Sequence, residues 1–155
     1  MVSEAGRDII ANSNSFNFDD LLLVAREHAT RIEQAILGNS PLVIIDTDIH
    51  TTKSYSRFIF KKEFEISADI YNSNKATLYL YLTSDAEYIQ DGTRLSEDER
   101  NLLDLSHRQV LIDHNIEIIE ISGNWNERFE KAVEQINLLI AKKEGQRTTV
   151  VTRVS

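Results

Sequence analysis

The chain has 155 residues, 27% of them charged and 41% hydrophobic, which is one domain's worth of chain with enough apolar content for a real core. A formal net charge of −8 argues against a nucleic-acid binder, whose affinity comes mainly from Lys and Arg neutralising phosphates. With no cysteine there is no disulfide, thiolate zinc site or catalytic thiol, and no apolar run is long enough to cross a bilayer. The first residues, M-V-S-E-A-G-R-D, lack the basic region and apolar core of a signal peptide, so cytoplasmic residence is expected.

In chain order, Ser3 caps an expected short helix from Glu4 to about Ala11, ended by the turn-forming N-S-N-S at 12–15. Asp19 and Asp20 favour the first turn of a second helix. On it Leu21, Leu22, Ala25, Ala29, Ile32, Ala35 and Ile36 share one face. Gly38 and Asn39 end that helix, and Pro41 opens L-V-I-I-D-T-D-I-H-T-T at 42–52. Four aliphatic residues without a polar break suit a strand buried on both faces, as in parallel sheets covered by helices. Carboxylates at the C-terminal end of such a strand lie where open α/β sheets bind ligands. If strand geometry continues, Asp46 and Asp48 point to the same side, with Lys53 nearby, and suit a metal–phosphate or ribose hydroxyls. The plainer alternative is that Asp48 or Thr51 caps the following helix; one residue is expected to cap and another to do chemistry.

That next helix is expected from Thr51 to Phe60, with Tyr55, Phe58 and Ile59 inward, and a short one around Glu65–Tyr71. A-T-L-Y-L-Y-L at 76–82 reads as a strand, ending in the polar T-S-D. Asp85 to Gln90 makes one or two helical turns before D-G-T-R at 91–94. Ser96 and Glu99 form an S-x-x-E capping box for a helix to about His114. Its apolar side is assigned to Leu102, Leu103, Leu105, Val110 and Leu111. I-E-I-I-E-I at 116–121 is the third strand, and Asn124 or Asn126 starts a last helix carrying Phe129, Val133, Ile136 and Ile140. Gly145 closes it, and the tail T-T-V-V-T-R-V-S is β-branched enough to be a strand. Strands alternating with helices imply βαβ units and a mostly parallel α/β sheet.

His28, His50, His107 and His114 show no metal-ligand spacing, and His114, near a helix end, suits a dipole role. The ordered blocks E-x-x-R at 4–7, I-I-D-T-D-x-x-T-T at 44–52, L-Y-L-x-x-D at 80–85, Q-D-G-T-R at 90–94 and I-S-G-x-x-x-x-R at 121–128 carry a further signal. Together they resemble the ribosylnicotinamide kinase domain of NadR-type proteins, P-loop kinases that phosphorylate nicotinamide riboside with ATP in NAD salvage. The resemblance covers roughly Ser3 to Ile140, and E-A-G-R departs from the family's E-Y-A-R. It implies a three-layer α/β fold with a mostly parallel sheet, incomplete at its N-terminus. Residues 1–145 are then a truncated P-loop kinase-like domain and 146–155 a C-terminal tail able to form a strand.

The family's G-x-x-x-x-G-K-[ST] loop holds nucleotide phosphates on backbone amides and a lysine. Here the glycines stand at 6, 38, 92, 123 and 145; none precedes a lysine and no two are five apart. Its strand is central in P-loop kinases, between those corresponding to 42–46 and 77–82. The slot must then be closed by direct pairing of those strands, by the tail at 148–154, or by a second chain, since buried unpaired backbone is costly.

By resemblance, Glu4 accepts the proton of the substrate hydroxyl and Arg7 contacts substrate; bare surface charge is the alternative for both. Asp46 and Asp48 orient the ribose or hold magnesium through water, Asp46 being the metal candidate. Arg94 and Arg100 correspond to lid arginines on the transferring phosphoryl group, although Arg100 suits a surface pair with Glu97 equally well. Asp91 and Gly92 shape the hinge, Tyr55 is a substrate-side candidate with Tyr88 behind it, and Trp125 is the candidate stacking partner for adenine or else packing. The implied ligands are ATP, Mg2+ and a small nucleoside; the implied partners are a second copy or the missing N-terminal segment, with no nucleic acid and no membrane. Without the phosphate cradle, catalysis by these residues alone is not expected. A non-catalytic ligand-binding or assembly remnant is the alternative, followed by an unrelated doubly wound ligand-binding domain with a coincidental D-T-D.

Overall fold

A computed structural model describes residues 16–38, 40–85, 96–142 and 148–154. The elements are α1 (Asp20–Leu37), β1 (Leu42–Asp46), α2 (Ile49–Tyr55) running into a π-helical turn (Ser56–Phe60), α3 (Ala68–Ser73), β2 (Leu78–Leu82), α4 (Glu97–Asp113), β3 (Ile119–Ile121), α5 (Trp125–Lys142) and β4 (Thr148–Val154). The expected helix over 4–11, the turns over 86–94 and the stop at Gly145 lie outside the described residues.

All four strands are parallel, in the order β1-β4-β2-β3. The tail therefore occupies the slot between β1 and β2. Leu42 to Asp46 pair with Thr148 to Thr152, and Leu78 to Leu82 pair with Val150 to Val154. This filling gives the two inner edges their ladder partners, where each unmatched buried group would cost about 1–3 kcal/mol. Val150, at the crossing of both ladders, is fully buried.

Alternation along the strands builds two layers of core. Val43, Ile45, Tyr79 and Tyr81 pack on one face against Ile32 of α1 and Leu111 of α4. Leu80, Ile121 and Val150 pack on the other against Ala132, Ile136 and Leu139 of α5. Each aliphatic side chain sealed in this way contributes roughly 1.5–3 kcal/mol. A third cluster, Leu21, Ala25, Ile49 and Phe64, joins α1 to α2.

Several local expectations are corrected. β1 is buried at Val43 and Ile45 but only half-buried at Leu42 and Ile44, because α5 lies over β2, β3 and β4. The helix after β1 begins at Ile49, capped by Asp48, and changes to π geometry at Ser56. Ser54, before that change, and Ser56, at its start, face inward, while Ile59 beyond it faces solvent. The capping box is as expected, with Ser96 and Glu99 each serving the other's backbone N–H. Leu102 and Leu105 point outward, however, and His107 takes an inward position beside Leu103, Val110 and Leu111. β2 and β3 are shorter than the apolar runs around them.

Candidate functional site

The C-terminal edge of a parallel sheet is where ligands bind in open α/β folds. Here β1 delivers Asp46 to that edge, and Thr47 follows with φ of 64°, left-handed backbone that a β-branched residue rarely adopts. The Thr47 N–H donates to the Thr152 carbonyl at 3.3 Å, tying the turn to β4. This reversal corrects the expectation that the two aspartates share a side: strand geometry stops at Thr47. Asp46 stays half-buried at the edge, and its carboxylate takes no hydrogen bond or ion pair among the described residues.

Asp48 turns inward, 3% exposed. Oδ1 accepts the His50 N–H at 3.0 Å, which caps α2, and Oδ2 lies 2.6 Å from His50 Nδ1. The far side of that ring, Nε2, is 3.0 Å from the Tyr71 hydroxyl. Burial first, and Asp48 second, push the Tyr71 and Tyr79 phenols above their ordinary values, so both keep their protons. In the tautomer that carries its proton on Nδ1, His50 donates to Asp48 and Nε2 accepts from the Tyr71 O–H. Of the two residues weighed as caps, Asp48 is the one that caps, while Asp46 remains at the sheet edge.

Two further histidines flank this group. His114 stacks edge-on against His50 at 5.3 Å, and its Nδ1 donates to the Val110 carbonyl at 2.9 Å in the last turn of α4. His28 of α1 is 3% exposed, with no hydrogen-bond partner for Nε2. Burial lowers its pKa, opposed by Asp48 and then Asp46. A cavity of about 20 Å³ lies behind Asp48, His50, Thr51 and Tyr79. It has room for about one water and is too small for a nucleoside.

Farther along the same edge, Asp85 after β2 meets the loop after β3. Asp85 Oδ2 accepts the Gly123 N–H at 2.8 Å, Thr83 Oγ1 donates to Asp85 Oδ1 at 2.7 Å, and Arg128 Nη2 also bonds Oδ1. Arg128 Nε donates to the Gly123 carbonyl at 2.6 Å. Gly123 has φ of +106°, a backbone conformation that L side chains rarely adopt, so glycine suits this turn. Thus L-Y-L-x-x-D and I-S-G-x-x-x-x-R, read in sequence only as motif letters, are joined by one buried arginine. Its burial among apolar positions of α5 was the signal that could have singled it out.

Trp125 opens α5, 68% exposed, with the Arg128 guanidinium 5.7 Å from its ring. Tyr55 packs edge-on against His107 at 5.6 Å, between α2 and α4. Arg100 lies on the first turns of α4, its Nη2 3.9 Å from Glu97. Glu4, Arg7 and Arg94 lie outside the described residues. Among the described residues no cluster of three metal-ligating side chains exists. Asp46 therefore fits magnesium only as one ligand, with water and phosphate oxygens supplying the rest.

Residues 1–128 match the model of a family described as AAA domain. The chain is 22% identical over 148 residues to the trifunctional NAD biosynthesis/regulator protein NadR of Salmonella typhimurium, covering 90% of this chain and 36% of that protein. The corresponding Escherichia coli protein is 22% identical over 149 residues, with the same shares covered. The chain thus spans about a third of the length of the curated relatives it matches.

Proposed function

The chain belongs to the AAA domain family, and from that premise we propose that residues 1–155 form the acceptor-holding part of a NadR-like nucleoside kinase. The acceptor is nicotinamide riboside, taken at the sheet edge beside Asp46. The observation that carries this reading is the contrast between Asp46, without a partner among the described residues, and Asp48, spent on the helix cap and His50.

In this reading the Asp46 carboxylate accepts from the ribose hydroxyls, or from water on magnesium, and fixes the riboside in the cleft. Glu4 takes the proton of the attacking hydroxyl, while Arg94 and Arg100 neutralise the phosphoryl oxygens. ATP with magnesium supplies the phosphoryl group where a phosphate grip exists. That grip is not among these residues, since the G-x-x-x-x-G-K-[ST] pattern does not occur in them. Phosphoryl transfer by residues 1–155 alone is therefore not part of the proposal.

A second reading, a ligand-binding module without catalysis, is favoured by β4, which completes the sheet where the phosphate-loop strand would lie. A coupled assay with nicotinamide riboside and Mg–ATP, run beside equilibrium dialysis of each ligand, tests both readings. Saturable riboside retention without turnover or ATP retention is expected. Retention of ATP alone, or of neither ligand, contradicts the acceptor-site proposal.

A further inference from the structure

α5 carries more apolar surface than the sheet covers. Ala132, Ile136 and Leu139 meet the sheet, and Arg128 is buried beside them. Trp125, Phe129, Val133 and Ile140 lie within about 80° of one another on the adjoining side, all exposed. Phe129, at 70%, is exposed far beyond what a packed aromatic shows. A stripe of this kind, more than two turns long, marks an interaction surface when charged residues rim it.

The rim decides the occupant. Beyond the stripe stand the exposed Glu130 and Glu134, which line a shallow depression with Phe129, Val133, Asn137 and Leu138. Lys131 is turned away and donates to the Ser122 carbonyl at 2.9 Å. Two copies packing this helix antiparallel about a two-fold axis would set each acidic rim against its own image, and each copy carries a net −8. We propose that the outer face of α5 is a docking site for a cationic amphipathic helix of another polypeptide. Its apolar residues cover Trp125, Phe129, Val133 and Ile140, and its lysines or arginines pair with Glu130 and Glu134. This surface does not rest on the nucleoside reading; Trp125, the candidate stacking partner for adenine, is the one residue common to both.

Trp125 is the only tryptophan, so its emission reports the stripe directly. The probes are a three-heptad Leu/Lys amphipathic peptide, its Leu/Glu counterpart and a Gly/Lys peptide of equal charge. The Leu/Lys peptide should shift the emission to the blue, saturably. It should bind the Glu130→Lys/Glu134→Lys variant at least about tenfold more weakly, and that variant should gain the Leu/Glu peptide. Glu65→Lys/Glu117→Lys, the same charge change elsewhere, should keep wild-type binding. Val133→Asp, checked for folding by circular dichroism, should bind weakly. Equal binding of the Gly/Lys peptide, or insensitivity to the Glu130/Glu134 reversal, overturns the proposal. Self-association through α5 in sedimentation, abolished by Val133→Asp, also overturns it.

Discussion

The Asp48 carboxylate and the His50 ring meet at 2.6 Å with neither side chain more than 3% exposed. Such a pair leaves a costly remainder when one member is removed. Asp48→Ala loses both the cap and the partner of His50, and should lower stability by about 3 kcal/mol. Asp48→Asn keeps a capping oxygen and should cost clearly less. Urea unfolding of the two variants checks the order; equal and small effects would contradict the inward placement of Asp48.

Thr47 holds left-handed backbone at φ of 64° between the two aspartates. Asn tolerates that conformation far better than a β-branched residue, without the unfolded-state entropy of Gly. Thr47→Asn should therefore stabilise by about 1 kcal/mol, seen as a higher melting temperature. An unstrained turn would give no gain.

His28 gives a pH signature. Burial holds its pKa below the ordinary 6.5, despite Asp48 and Asp46, and with Arg31 acting in the same direction as burial. Below 6.5 the unfolded chain then binds more protons than the folded one, so stability rises with pH through the window from the lowered value up to 6.5. It is lost as pH falls through that window. His28→Leu, which also removes the unpartnered Nε2, should flatten this slope in urea unfolding between roughly pH 7 and pH 5. An unchanged slope would show that His28 does not carry it.

Val150 is 0% exposed and sits at the crossing of the two inner ladders. Val150→Ala should cost about 2 kcal/mol, as a core truncation does. A tail lying on the surface would change stability by less than about 0.5 kcal/mol, which denaturant unfolding separates easily.

Much of the fold was legible because its signals are local. The apolar run at 42–45 and the capping box at Ser96 and Glu99 required no tertiary information. The β-branched tail read as a strand, but its central place is a long-range choice among three ways of closing one gap. Helix faces were misread where geometry changed or chemistry intervened. The π turn at Ser56 moved Ile59 outward, and Leu105 was counted inward for its apolar side chain although the helical period puts His107 on the face of Leu103, Val110 and Leu111. At the site, the aspartates were visible in sequence while their separation was not, because it depends on one left-handed residue, Thr47. Arg128 was passed over because its partner, Asp85, is 43 residues away.

The central claim is that Asp46, with no protein partner among the described residues, is the residue that meets the riboside. Calorimetric titration of nicotinamide riboside into the wild-type chain and into Asp46→Asn tests it most directly. The account predicts saturable binding to the wild type and at least about tenfold weaker binding to the variant, with unfolding unchanged. Equal affinity for the two proteins would contradict it.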